Sequence, residues 1–122
     1  MDIERNDKME NFRMYRGDTW AKAIEIKFDE EPQDLEEAYF TCKINHDDIN
    51  PVFQKTLNDG IQKIETKGNA LYYGIRIAPE DTKNIEIGNY YYDLEIGLNG
   101  DKFTLLNGIL KLDKDITNEG GR

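Results

Sequence analysis

From residue 71 to residue 112 apolar side chains recur at every second position, and the alternation breaks at Pro79-Glu80-Asp81-Thr82, at Gly88-Asn89 and at Asn99-Gly100. A period of two sends successive side chains to opposite faces of an extended chain, so the pattern is that of antiparallel strands with one dry and one wet face. Leu71, Tyr73, Ile75 and Ile77 form one inward stripe, with Tyr72, Gly74 and Arg76 outward. Tyr90, Tyr92, Leu94, Ile96 and Leu98 form a second, opposite Tyr91, Asp93, Glu95 and Gly97. Proline in its first position makes the segment from Pro79 a single helical or 3₁₀ turn, expected as a corner between two sheets.

Upstream the same period predicts strands at residues 12–15, 20–28, 36–45, 52–57 and 61–64. Trp20, Ile24, Ile26 and Phe28 share one face of the second, which makes Trp20 the expected core anchor, while Lys22 breaks the stripe and is expected to snorkel at an edge. Ala38, Phe40, Cys42 and Ile44 point inward from the third. Asp29-Glu30-Glu31-Pro32-Gln33-Asp34 is an acidic loop, because Pro32 cannot donate to a ladder. Asn58-Asp59-Gly60 contains an Asp-Gly pair of the type favoured by tight hairpins. In the last strand, residues 102–112, Phe103 and Leu105 have one parity and Leu106, Leu110 and Leu112 the other, so a bulge is expected near Asn107-Gly108.

Seven or eight strands over residues 11–116 fit an all-β fold, an antiparallel two-sheet β-sandwich of immunoglobulin-like type without the Cys…Trp…Cys core of antibody domains. Residues 1–10 are expected to be a flexible polar lead and 117–122 a flexible tail. The chain has 122 residues, enough for one core without staples. Although only 38% of residues are hydrophobic, seven Tyr, five Phe and one Trp supply large buried area per side chain.

Charge narrows the partners. A formal charge of −9, from 25 acidic and 16 basic residues, repels phosphate backbones and anionic lipid head groups, so neither nucleic acid nor a membrane surface is expected as a partner. The N-terminal segment lacks the apolar core of a signal peptide, and no stretch has the length of a membrane span. Cys42 is the single cysteine and lies at an inward position, where a thiol packs as a small hydrophobe.

Candidate chemistry is sparse. Arg16-Gly17-Asp18 matches an integrin-type tripeptide, but Gly and Asp at these positions are explained by a turn. His46, Asp47, Asp48, Asp113 and Asp115 invite a metal reading, yet the chain lacks the His and Cys set of a zinc site and the alternating oxygen ligands of a calcium loop. Phosphate loops and nucleophile elbows are absent from the sequence, and no pair of carboxylates is singled out, so no enzyme activity, cofactor or metal is expected. The outward aromatics are the remaining candidates. Tyr39, Tyr72 and Tyr91, with Arg76, fall on the wet parity and are the expected interface residues, for protein contacts or for sugar stacking.

Several phrases taken in order resemble a family: Met14-Tyr15-Arg16-Gly17-Asp18-Thr19, Pro79-Glu80-Asp81-Thr82, Gly88 to Ile96 (GNYYYDLEI) and Thr104 to Leu112 (TLLNGILKL). They resemble the tail and baseplate β-modules encoded by phages and prophages of Gram-positive bacteria, over about residues 12–117. The resemblance implies a non-catalytic structural protein of the virion that assembles with copies of itself or with other virion proteins through edge-strand and sheet-face contacts, without cofactor, in the particle or the host cytoplasm. The shared phrases are structural, so no functional residue is carried over. A carbohydrate-binding module using an exposed Tyr face is the alternative expectation, and a hydrolase would require a cleft with two converging carboxylates.

Overall fold

The computed structural model describes residues 8–114. Residues 1–7 of the expected lead, the expected tail at 117–122 and Asp115 lie outside the described residues. Among those described there are nine strands and one short helix: β1 (Lys8–Met9), β2 (Phe12–Tyr15), β3 (Trp20–Lys27), β4 (Glu37–Lys43), β5 (Phe53–Leu57), β6 (Gly60–Lys67), β7 (Ala70–Ile77), α1 (Pro79–Thr82), β8 (Gly88–Leu98) and β9 (Asp101–Asp113). The all-β class stands. Hydrogen bonding, however, runs without interruption in the order β1-β9-β8-β4-β5-β6-β7-β3, with β2 also on β9. The molecule is therefore one mixed sheet curled into a near-barrel, not the two separate antiparallel sheets of an immunoglobulin-like sandwich.

Two departures from antiparallel pairing produce this outcome. β1 and β2 run parallel to β9, with Lys8 opposite Leu106 and Phe12 opposite Leu110, so residues 8 and 9 of the expected lead belong to the sheet. Asn58-Asp59-Gly60 does not close a regular hairpin: Thr56 pairs with Gly60 and Leu57 with Ile61 in parallel register, and β6 leaves to pair with β7 instead. That corner carries the sheet around. A Cβ on Gly60 would collide with the Lys55 side chain, which explains glycine at the bend.

The curl closes because β2 and β3, at opposite ends of the sheet, are joined by only four residues. Phe12 and Trp20 stack across the seam with centroids 4.2 Å apart, and Lys22 reaches Glu10 at 2.7 Å. Trp20 is thus a half-buried seam residue rather than a core anchor, and Lys22, on the inward parity, spans the gap. Phe12, Phe40 and Tyr92 continue the aromatic cluster inward, each such pair adding roughly 0.5–1.5 kcal/mol beyond its buried area. Around them Ile26, Phe28, Ile61, Leu71, Ile75, Leu94 and Leu110 are buried.

Local turns follow their chemistry. Asn99 and Gly100 both have positive φ, 54° and 82°, and join β8 to β9 with the backbone twist a two-residue hairpin needs. Proline at the start of α1 costs no hydrogen bond, and the Asp81 carboxylate accepts the free Ala78 N–H at 2.7 Å. The parity conflict in β9 is resolved at Leu105, which is inserted between Thr104, opposite Glu95, and Leu106, opposite Leu94. The bulge falls earlier than expected; Gly108 serves a different need, because a Cβ there would strike the Glu10 carbonyl of the incoming N-terminal strand. Ile44, expected inward, lies beyond the end of β4 and is exposed.

Candidate functional site

The outer face of β5, β4, β8 and β9 holds an open groove of about 910 Å³. Strand register builds it in rows. Thr41 sits between Gln54 and Asp93, with Asn107 beyond; Tyr39 faces Glu95, with Thr104 beyond; Lys43 faces Tyr91, with Ile109 beyond. These are the wet positions of strands whose alternate residues, Phe40, Cys42, Tyr92 and Leu94, fill the core. Met9 and Ile49, both strongly exposed, stand at the rim.

One end of the groove is knotted by charge. Lys102 Nζ donates to Glu37 Oε2 at 2.8 Å, lies 4.0 Å from Glu95 Oε1, and sits 5.9 Å from the centre of the Tyr39 ring. The Lys102 hydrogen bond and charge hold the Glu37 carboxyl below its ordinary range, and the same bond raises the Lys102 ammonium. At the other end the His46 ring lies 3.9 Å from that of Tyr91. Between them Gln54 donates to Thr41 Oγ1 at 2.8 Å. Asp93, in the same row, is half-buried, and its side chain makes no hydrogen bond or ion pair among the described residues. Burial first, then the Glu95 charge, push its carboxyl upward, while Lys43 on the neighbouring strand pulls the other way through space.

The four expected interface residues do not share one face. Tyr39 and Tyr91 both line the groove, toward its opposite ends, whereas Tyr72 and Arg76 lie on β7, separated from β4 by β5 and β6. Tyr72 is absorbed by cross-strand pairing: its hydroxyl donates to Glu25 Oε2 at 2.5 Å and Lys67 Nζ stands 6.0 Å from the ring centre. Period-two parity names the face of a strand but not its neighbours, so it could not separate these pairs. The groove residues that parity reasoning missed, Asp93 and Lys102, carried the same wet-parity signal without an aromatic ring to draw notice.

The remaining candidates resolve locally. Arg16-Gly17-Asp18 is tied down, since the Gly17 N–H donates to Thr82 Oγ1 at 2.8 Å and Arg16 Nη1 to the Ile85 carbonyl at 3.4 Å. Asp48 accepts the Asn45 N–H, Asp113 binds Arg13 Nε at 2.8 Å, and among the described residues no group of three His, Cys, Asp or Glu side chains is placed to hold a metal ion. Cys42 is fully buried and its thiol is pushed up to about 12 by desolvation. No helix among the described residues is long and apolar enough to cross a membrane.

No protein-family model and no curated protein matches the chain. Among solved structures, a family 123 glycoside hydrolase from Clostridium perfringens, studied for glycolipid glycan hydrolysis, is similar with a TM-score of 0.55 and 13% identity over 94% of this chain. A DUF4784 family protein from Bacteroides caccae is similar with a TM-score of 0.40 and 11% identity over 95% of this chain. In both cases the chain spans 24% of the other protein's length. The first likeness is one of fold: this arrangement of strands also occurs within a much larger protein.

Proposed function

We propose that this chain is a non-catalytic assembly module of a phage or prophage particle, of the tail or baseplate type, that docks another protein on the open face of β5, β4, β8 and β9. The observation that carries the docking is the groove itself: tyrosines, exposed apolar residues and hydrogen-bonding side chains are interleaved on one broad sheet face, the composition of a protein contact surface. The link to a particle comes from the sequence resemblance alone. The chain would work in the particle or in the cytoplasm where particles assemble.

Sugar stacking on the same face is a weaker reading. A sugar ring needs a free aromatic face, and here His46 covers Tyr91 while Lys102 stands near Tyr39. Hydrolysis would call on Asp93 and Glu95, two residues apart on β8, and Glu95 lies at 4.0 Å from the Lys102 ammonium.

The test is composition. Particles purified from a producing strain are expected to contain this chain in a fixed ratio to the other tail proteins, and Tyr39→Ala with Tyr91→Ala is expected to lower its incorporation while leaving its fold intact by circular dichroism. Particles that lack the chain, or incorporation unaffected by both substitutions, would overturn the reading.

A further inference from the structure

The groove contains an acidic group that its own chain leaves unanswered. Glu37 is satisfied by Lys102, and Glu95 lies beside the same ammonium, but Asp93 has neither hydrogen bond nor ion pair among the described residues although it is half-buried at the middle of the face. Lys43 lies two residues along from Thr41, the residue opposite Asp93, and makes no ion pair with it. Burying a carboxylate without a partner costs stability, and a cation arriving from outside offsets that cost with a charge-assisted bond in a partly dry site.

The surroundings decide which cation. With neither oxygen of the Asp93 carboxylate hydrogen-bonded among the described residues, guanidinium suits it better than ammonium, since a planar fork binds both carboxylate oxygens at once. Met9 and Ile49, exposed at the rim, offer apolar contact to the residues on either side of such an arginine. The total charge of −9 disfavours a second copy of this chain and favours a basic protein.

We infer that the groove takes an arginine of a basic partner protein, its guanidinium on the Asp93 carboxylate and its apolar neighbours against Met9 and Ile49. The inference rests on the docking reading above and adds the anchor and the sign of the partner.

Three displayed libraries of short peptides, with the central residue fixed as arginine, glutamine or glutamate and the flanks randomised, are selected against the full chain and against Asp93→Asn. On the unmodified chain the arginine library is expected to be enriched at least about tenfold over the glutamine library, the ratio one charge-assisted pair supplies. On Asp93→Asn the two are expected to be equal. Amide shifts on adding the best arginine peptide are expected in β4, β8 and β9. Equal enrichment on the unmodified chain, a preference that survives Asp93→Asn, shifts elsewhere, or no retained peptide would each overturn the inference. Neutral peptides bound in the groove would do so while leaving the docking reading standing; oligosaccharides that shift the groove amides where no peptide does would remove both. Self-association through the groove would replace the basic partner by a second copy.

Discussion

The backbone N–H of Gly17 donates to the side-chain oxygen of Thr82 at 2.8 Å, across 65 residues of sequence. Gly17 stands at φ 81° in the turn that joins the two ends of the sheet, and Thr82, fully buried, ends α1. The bond thus pins the closure turn to the corner between β7 and β8. Thr82→Val keeps the shape and leaves a part-buried N–H without its partner, so it is expected to cost about 1 kcal/mol in urea unfolding, while Thr82→Ser stays much closer to the parent. Equal losses for both variants would assign Thr82's worth to its methyl group.

Trp20, the only tryptophan, reports the seam directly. Its ring stacks on Phe12, the contact that brings β2 to β3. Phe12→Ala is expected to shift native tryptophan emission to the red and to lower stability by about 2 kcal/mol, less than for a fully buried ring because both residues are half-exposed. An unchanged spectrum would mean that the seam does not depend on this stack.

Lys55 illustrates what the alternation showed and what it hid. Residues 53, 55 and 57 share the inward parity, which makes a lysine in the middle an anomaly that only a distant carboxylate could answer. Asp81 answers it at 3.0 Å while also accepting the Ala78 N–H, with both side chains largely buried. Asp81→Ala leaves the lysine buried and the helix start uncapped, so a loss of about 3 kcal/mol or more is expected. Lys55→Met combined with Asp81→Asn is expected to recover much of it, since the amide oxygen still caps Ala78 and no charge remains buried. A double variant as weak as the single one would place the whole effect in the cap.

Period-two patterning made the strands legible because most have one buried face, β6 with only Ile61 buried being the exception, and Asn99-Gly100 and Pro79 marked turns by backbone chemistry that acts within four residues. The arrangement of strands was not legible in the same way. Whether β5 returns along itself or turns a corner depends on Lys55 packing under Gly60, and whether the N-terminal strand joins β9 depends on Gly108 admitting the Glu10 carbonyl. Such contacts span tens of residues and leave no periodic trace. The groove was half legible for the same reason: parity placed Tyr39 and Tyr91 outward, but only the pairing of β4 with β8 puts both on one groove.

Cys42 gives a chemical check on the core. Its thiol is buried and pushed up to about 12, so at pH 8 it is protonated and shielded. A thiol-reactive disulfide reagent is expected to modify it only after the chain is unfolded in guanidinium, at the rate of global opening. Rapid modification of the native protein would show that β4 opens locally.

Asp93 links the groove to stability through pH. Because burial raises its folded carboxyl above the ordinary value of 3.8, the native state holds a proton that the unfolded chain has already released, and stability falls as pH rises through that window. Below the ordinary value both states are protonated and the group contributes nothing; above the folded value the buried charge costs its full amount. Asp93→Asn removes that charge, so its stability relative to the parent is expected to be near zero in acid and to climb to a positive plateau at neutral pH, read as the difference in urea midpoints across a pH series. Comparing the two variants cancels the carboxylates that do not interact with Asp93; the coupling to Glu95 enters the difference with the same sign. A difference that is flat, or that grows toward acid, would mean that Asp93 is held by a favourable partner within the chain, and the groove would then have no charge waiting to be met.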